Sequence, residues 1–254
     1  MKTINFMLHP GMGKTATTWL QSCFAHLPRT FFIGKDPWYK KDLLYSLHYS
    51  LFPSYFQGKF RARNSYNYIA EYAKQISDLL KSEVDNIDNI ILSDECIMGY
   101  GIYNAELNIV LSKILFDFLS KELCNDNIKL KPTLLYTIRE QKSALQSIYA
   151  YDYIHQREKS TNFEGFLEWG KNNSDEDLFG GLNYFETSEI LGHIIDWPIN
   201  FVPYEILNTS GREKYLVECC KNLNLKKTQL RSIANTQQPL NVNRNHSISI
   251  NYLR

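Results

Sequence analysis

The chain has 254 residues and a formal net charge of +1, because 28 Lys and Arg nearly balance 27 Asp and Glu. This length suits one sizeable α/β domain spanning residues 1–254 and leaves little room for an independent second one. The charge balance gives no general attraction to nucleic acid or to acidic membranes. No apolar run approaches the roughly 18 residues of a membrane span, and no signal peptide precedes the first predicted strand, so we expect a cytoplasmic protein.

The cysteines predict neither a disulfide framework nor a metal site. Their number is odd, no Cys-x-x-Cys pair occurs, and no His stands at metal-ligand spacing from any of them. We therefore expect no bound metal, and reduced, mostly buried thiols at Cys23, Cys96, Cys124, Cys219 and Cys220.

Strands and helices alternate in the predicted chain. Apolar runs of strand length occupy residues 4–8, 30–34, 89–93, 132–138 and 199–202. Apolar spacing predicts helices over residues 17–27, 66–80, 107–118, 141–155, 163–169, 184–195 and 215–223. Strands that alternate with helices of this length predict an α/β fold of three layers, with helices on both faces of a central, mostly parallel sheet.

Three segments interrupt this alternation. Residues 36–65 form an irregular stretch rich in aromatic and basic residues, and residues 232–254 form a tail rich in Asn, Gln and Ser. Residues 173–181 are polar and predict a loop. The aromatic-basic stretch has two interpretations: a binding surface, where flat rings stack on sugars and basic groups hold acidic ones, or an irregular helical layer over the sheet.

The residues between the first strand and the first helix are typical of a phosphate-binding loop. Residues 9–21 read His-Pro-Gly-Met-Gly-Lys-Thr-Ala-Thr-Thr-Trp-Leu-Gln. Glycines allow the backbone to approach an anion, and the first N–H groups of a helix have no intrahelical partner and point at it. The residues predicted to contact the phosphate are two glycines, one lysine and three threonines: Gly11, Gly13, Lys14, Thr15, Thr17 and Thr18.

The details of this loop indicate which phosphate it binds. The nucleotide-triphosphatase loop is G-x-x-x-x-G-K-[ST], but Leu8 stands where its first glycine would fall. Residues 14–21 more closely resemble K-[ST]-G-T-T-x-L-Q, the 5′-phosphosulfate-binding loop of sulfotransferases, with Ala16 in place of the usual glycine. The resemblance implies a P-loop-type fold and transfer of a sulfuryl group from 3′-phosphoadenosine 5′-phosphosulfate (PAPS).

A second motif follows the strand at 132–138. Arg139 comes directly after this strand, and Ser147 lies eight residues later on the next predicted helix. Arginine presents a planar fork to phosphate oxygens, and a hydroxyl on the helix adds a donor. In this order and separation, the pair resembles the arginine and serine that bind the 3′-phosphate of PAPS in sulfotransferases. Because both motifs follow parallel strands, we expect them to converge on one cleft.

Weaker similarity extends over the rest of the chain. Residues 163–167 look like the F-E-x-F-L segment of bacterial-type members, and residues 201–207 resemble their late strand that ends in Y-E-x-L. Trp19 resembles the tryptophan that packs near the adenine in cytosolic members, although on a helix face it could equally belong to the core. The glycine-rich, basic C-terminal loop of the cytosolic branch has no clear match.

The resemblance also suggests catalytic residues. Lys14 is placed to neutralise the 5′-phosphate and the leaving oxygen. Glu95 is the first candidate for the general base, because it leaves the strand at 89–93 towards the cleft, but a helix-start carboxylate is an equal interpretation. His9 is the second candidate base, with support of the loop as its alternative role, and Asp94 would replace Glu95 if Glu95 pointed outwards.

The expected donor substrate is PAPS and the expected product is 3′,5′-ADP (PAP), without a metal. The expected acceptor is a saccharide or glycolipid, with residues 36–65 on its side of the cleft, and no nucleic acid is expected as a partner. Two alternatives stay open. One is a P-loop kinase or nucleotide triphosphatase that uses Mg-ATP, with the carboxylates after residues 90–93 on the magnesium ion; the other is a non-catalytic nucleotide- or glycan-binding relative.

Overall fold

The computed structural model describes residues 1–11, 15–34, 62–94, 97, 102–151, 162–172 and 183–237. Within these residues, five strands form one parallel sheet. The strands are β1 (Lys2–His9), β2 (Thr30–Ile33), β3 (Asn89–Ser93), β4 (Ile128–Ile138) and β5 (Ile199–Pro203). Their order across the sheet is β2-β3-β1-β4-β5.

Helices connect and flank these strands. In chain order they are α1 (Thr17–Ala25), α2 (Ala62–Lys81), α3 (Ile102–Cys124), α4 (Gln141–Tyr151), α5 (Phe163–Asn172), α6 (Tyr184–Ile194), α7 (Glu205–Cys219) and α8 (Lys227–Thr236). A short 3-10 turn, Val84–Asn86, precedes β3. No helix in the described part of the chain combines the length and the apolar character needed to cross a membrane.

The sheet has an apolar core on each face. Strand β1 alternates between them, with Phe6 and Leu8 in one cluster and Met7 in the other, as the period of two in a strand requires. The first cluster includes residues of α2, α3 and α6, and the second includes residues of α1, α7 and α8. The predicted three-layer α/β/α class is therefore confirmed, and all strand pairs described are parallel.

The strand order places a change of direction at the carboxyl end of β1. The connection through α1 runs past β3 to β2, whereas the connections that leave β3 and β4 run towards the opposite edge of the sheet. Ligands of open parallel sheets bind outside the carboxyl ends of the strands at such a switch point. The described residues 10, 11, 15 and 16, which lie between β1 and α1, are at this position, where the phosphate-binding loop was expected.

The predicted strands all form, and β4 is longer than expected. It begins at Ile128 rather than at Pro132, because Ile128 and Leu130 are buried while Lys129 and Lys131 are exposed. This alternation is that of a half-buried strand, whereas the prediction was based on a continuous apolar run. Helix α4 ends at Tyr151, and the rest of the predicted helix 141–155 lies outside the described residues.

The C-terminal part differs more from the expectation. Helix α7 begins at Glu205, ten residues before the predicted start, and has a non-helical break at Gly211, where φ is 85°. Helix α8 was not predicted, and it includes the first five residues of the segment 232–254 that was expected to form a tail. The burial of Leu230 and Ala234, four residues apart, holds α8 in the second apolar cluster, where it packs against α7, and polar neighbours mask this short apolar stripe in the sequence.

Other predicted segments lie wholly or largely outside the described residues. Of the aromatic-basic stretch 36–65, the structure describes 62–65, which form the first turn of α2. The predicted loop 173–181 lies outside the described residues, between helices α5 and α6. The described cysteines are free thiols, of which Cys23, Cys219 and Cys220 are buried and Cys124 is exposed. Burial raises the pKa of Cys23 to about 12, so this thiol is unreactive.

Candidate anion-binding site

The structure describes most of the predicted site residues. Gly11, residues 15–19, His9, Arg139 and Ser147 are described, whereas Gly13, Lys14 and Glu95 lie outside the described residues. No group of three or more His, Cys, Asp or Glu side chains among the described residues is arranged to hold a metal ion. The candidate site can therefore be built from the two ends of the phosphate-binding loop and from the end of β4.

The loop has left-handed backbone at both of its described ends. Gly11 has a φ of 58°, and Ala16, the N-cap of α1, has a φ of 59° and a ψ of 28°. This conformation costs a non-glycine residue roughly 1–2 kcal/mol, so position 16 has a backbone that favours glycine. The one departure from K-[ST]-G-T-T thus stands at a position whose geometry is that of a glycine. Ala16 also provides no side-chain acceptor for the first N–H groups of α1.

Thr15 joins the loop to the neighbouring strand. Its side chain is fully buried, and its Oγ1 lies 2.8 Å from Oγ1 of Thr137, near the carboxyl end of β4. Its carbonyl oxygen accepts a hydrogen bond of 3.0 Å from the hydroxyl of Tyr215 on α7. The hydroxyl of Thr17 lies 3.5 Å from that of Thr15. These contacts hold the loop close to the residues that precede Arg139.

His9 is buried at the carboxyl end of β1. Its Nδ1 lies 2.8 Å from Oγ of Ser93, its register partner on β3, and its ring meets Phe24 edge to face at 5.5 Å between centroids. Burial lowers the pKa of His9 to about 3, although the negative charge of Asp94 acts in the opposite direction. The imidazole is therefore neutral and a weak proton acceptor. These contacts suit a residue that positions the strand ends, while the catalytic role of His9 stays a prediction.

The end of β3 is attached to both β1 and α1. The backbone N–H of Asp94 donates to the carbonyl of His9 at 3.2 Å, and the side-chain amide of Gln21 donates to the carbonyl of Ser93 at 3.3 Å. Asp94 itself is buried, with 4% of its surface exposed. The structure thus brings Asp94 beside the phosphate-binding loop, as expected for the candidate carboxylates after β3.

Arg139 is held from several directions. Its Nε donates to Oγ of Ser143 at 3.0 Å, and its Cζ lies 4.7 Å from the centroid of the Tyr204 ring. The backbone N–H of Arg139 donates to the hydroxyl of Tyr184, which in turn donates to the carbonyl of Arg139. Arg139 is half-buried, and these contacts fix the orientation of its guanidinium at the carboxyl end of β4.

The turn between β4 and α4 is capped by carboxylates. The side chain of Glu140 accepts hydrogen bonds from the backbone N–H groups of Lys142 at 2.9 Å and Ser143 at 2.6 Å, and these bonds lower the pKa of Glu140. The backbone N–H of Glu140 donates to Glu205 at the start of α7, at 2.9 Å. Arg139 therefore leaves a turn whose backbone is held at several points.

Ser143, rather than Ser147, contacts the guanidinium of Arg139. Ser147 is half-buried and lies four residues further along α4, so the two hydroxyls share one face of the helix. Sequence reasoning missed Ser143, although its distance of four residues from Arg139 could have indicated it. The predicted contact of Ser147 with a 3′-phosphate stays a prediction.

Trp19 and Thr18 occupy different environments on α1. Trp19 has 4% of its surface exposed, stacks on Tyr215 at 6.2 Å between centroids, and donates from Nε1 to the carbonyl of Gln237 at 3.0 Å. These are the contacts of a core residue, the second of the two interpretations. Thr18 is half-buried on the same helix. Tyr215 and Tyr204 were not predicted as site residues, though Tyr204 belongs to the Y-E-x-L resemblance.

No protein-family model matches the chain, and a search of curated proteins finds no match. The resemblance to sulfotransferases therefore depends on the residues of the two motifs and on their positions in the fold. The structure places the described residues of both motifs at the carboxyl ends of the adjacent strands β1 and β4.

Proposed function

We propose that the chain is a PAPS-dependent sulfotransferase, which moves a sulfuryl group from PAPS to a hydroxyl or amine of an acceptor. The observation that carries this proposal is the contact of 2.8 Å between the hydroxyls of Thr15 and Thr137. Thr15 follows Lys14 in the phosphate-binding loop, and Thr137 precedes Arg139 by two residues. The loop and Arg139 therefore lie together at the carboxyl ends of β1 and β4, as a nucleotide with phosphates at both its 5′ and 3′ positions requires.

In this proposal, the loop binds the 5′ end of the donor. Gly11 and position 16 have the left-handed backbone that allows a close approach to an anion, and the start of α1 presents N–H groups. Lys14 and Gly13 complete the loop, together with the hydroxyls of Thr17 and Thr18. Arg139 and a hydroxyl of α4 bind the 3′-phosphate at the end of β4.

The reaction is an in-line transfer with a loose transition state. A bond forms between the acceptor oxygen or nitrogen and sulfur, and the bond between sulfur and the bridging oxygen of PAPS breaks. The leaving oxygen carries its electron pair away with PAP, where Lys14 stabilises its charge. The acceptor proton passes to Glu95, or to the buried Asp94 in its place, and His9 is the second candidate base.

The acceptor in this proposal is a saccharide or glycolipid. The support is the bacterial-type resemblance of residues 163–167 and the aromatic and basic residues of the stretch 36–65. Aromatic rings stack on sugar faces, and basic side chains hold acidic substituents. The expected compartment is the cytoplasm, and the expected partners are small molecules or glycans and not nucleic acid.

A thermal-shift comparison tests the donor site first. We expect 3′,5′-ADP to raise the melting temperature without magnesium, whereas ATP should require magnesium to do so in a P-loop kinase or triphosphatase. Stabilisation by ATP alone, and only with magnesium, would make the proposal wrong. Turnover of PAPS with a panel of saccharides, glycolipids, phenols and alcohols then separates an active enzyme from a non-catalytic relative.

A further inference from the structure

Four side chains form a continuous row between the two halves of the candidate site. Trp19 on α1 stacks on Tyr215 with 6.2 Å between ring centroids, and Tyr215 meets Tyr204 edge to face at 6.3 Å. Tyr204 lies beneath the guanidinium of Arg139, with 4.7 Å from Cζ to the ring centroid. The row thus begins on the helix that follows the phosphate-binding loop and ends at the arginine after β4.

Within this row, Tyr215 holds the phosphate-binding loop in place. Tyr215 is fully buried, and its hydroxyl donates 3.0 Å to the carbonyl of Thr15. Burial raises the pKa of this phenol well above its ordinary value, so it stays a neutral donor. The backbone of the loop is therefore fixed to α7 by a hydrogen bond inside the core.

Tyr204 holds the side chain of Arg139 in place. A cation above an aromatic face is attracted by the negative charge of the ring face, and this attraction grows as water is removed. Tyr204 is half-buried, and Ser143 holds Nε of the same guanidinium. Ring and hydroxyl together fix the plane of the guanidinium, and a fixed plane is what bidentate binding of a phosphate needs.

Tyr204 and Tyr215 lie on either side of the non-helical break of α7 at Gly211, and the contact between their rings joins the two parts of the helix. Tyr204 is the N-cap of α7, and Tyr215 lies in its buried second part. The hydroxyl of Tyr215 therefore supports the loop, and the ring of Tyr204 supports Arg139. The distance between the two anion-binding ends depends on this common support and not on either motif alone.

We propose that Tyr204 and Tyr215 are positioning residues that hold the loop and Arg139 at a fixed separation. This separation makes the site select a nucleoside with phosphates at both its 5′ and 3′ positions over one with a 5′-phosphate only. The inference rests on the proposed function, which it deepens by assigning the selectivity between the two nucleotides to α7.

Calorimetric titration with 3′,5′-ADP and with 5′-AMP tests this inference. The dissociation constant for 5′-AMP divided by that for 3′,5′-ADP measures the affinity that the 3′-phosphate adds. We expect Tyr204→Leu to lower this ratio roughly 3- to 30-fold and to leave the affinity for 5′-AMP nearly unchanged. Tyr204→Phe keeps the ring and should restore the wild-type ratio. Tyr215→Phe removes the bond to Thr15, so it should weaken the binding of both nucleotides and also lower the ratio, because the loop is no longer held at a fixed distance from Arg139.

Phe185→Leu is the matched control, because Phe185 is an aromatic residue next to Tyr184 with 72% of its surface exposed. It should leave both affinities unchanged, and melting temperatures identify any variant that fails to fold. If the wild type binds neither nucleotide, the proposed function is wrong and the inference falls with it. If the wild type prefers 3′,5′-ADP and folded Tyr204→Leu keeps that preference, the inference alone is overturned.

Discussion

The candidate site has two halves, one at the end of β1 and one at the end of β4, and they are held in place by different kinds of contact. The half at the end of β1 depends on backbone geometry, with left-handed residues at Gly11 and Ala16. The half at the end of β4 depends on side chains, because Arg139 is oriented by groups from α4, α6 and α7. A backbone site requires particular residues at fixed spacing, whereas a side-chain site can draw its supports from anywhere in the chain.

This difference has a consequence for substitutions. In the β1 half, a substitution alters either the backbone conformation of the loop or the single positive charge of Lys14. In the β4 half, a change acts on one guanidinium and on the residues around it. We therefore expect changes in the two halves to differ in their effects on turnover, nucleotide affinity and stability.

The largest expected effect comes from Lys14→Ala. In the proposed mechanism, removal of this charge leaves the departing oxygen unstabilised, and we expect turnover of PAPS to fall roughly 100- to 1,000-fold. The measurement is the rate of PAP release under saturating PAPS. Lys113→Ala is the control, because Lys113 forms a surface ion pair with Asp117 within α3, at 2.9 Å. Equal rates for Lys14→Ala and Lys113→Ala would contradict the role of the loop.

Arg139→Lys tests the β4 half. Lysine keeps the positive charge but loses the planar fork, so we expect the affinity for 3′,5′-ADP to fall roughly 10- to 100-fold. The affinity for 5′-AMP should stay the same, because that nucleotide lacks the 3′-phosphate. The control is Arg29→Lys, since Arg29 bonds to Asp88 at the surface. Equal loss for both nucleotides would show that Arg139 does not bind the 3′-phosphate.

His9 gives the β1 half a dependence on pH. Burial lowers its pKa to about 3, against about 6.5 in an unfolded chain, so the unfolded state binds the extra proton between these values. The free energy of unfolding should therefore fall as the pH drops below about 6.5, by up to about 1.4 kcal/mol per pH unit from this residue.

Urea unfolding of the wild type and of His9→Asn at pH 7 and pH 5 measures this dependence. We expect the variant to lose less stability than the wild type between the two pH values. His193→Asn provides the control, because His193 is exposed on α6, and it should behave like the wild type. An identical pH dependence in His9→Asn would mean that His9 is not buried as a neutral imidazole.

The smallest expected effect is that of Ala16→Gly. Glycine removes the cost of the left-handed backbone at position 16, roughly 1–2 kcal/mol, but gains freedom in the unfolded chain worth up to about 1 kcal/mol. We expect the free energy of unfolding to rise slightly or to stay constant. Ala150→Gly, on helix α4, should lower it by about 1 kcal/mol. Comparable losses at both positions would refute the left-handed conformation of Ala16.

Much of the fold could be predicted from local patterns. All five strands were expected, and β3 has the predicted bounds, because a strand buried on both faces has an apolar run that is legible without knowledge of its neighbours. Helix α8 escaped prediction because its burial depends on Leu230 and Ala234 meeting the second apolar cluster. Its polar residues face outwards, and only the packed structure shows which face is covered.

The same distinction applies to the candidate site. By itself, the sequence predicted the candidate phosphate-binding loop and determined the strand that precedes it, because close approach to an anion demands glycines, a lysine and hydroxyls at fixed spacing. Only the tertiary structure decided that Thr15 meets Thr137 and that the tyrosines of α7 support both ends of the site. Such contacts join residues up to 200 positions apart, and no local pattern encodes them.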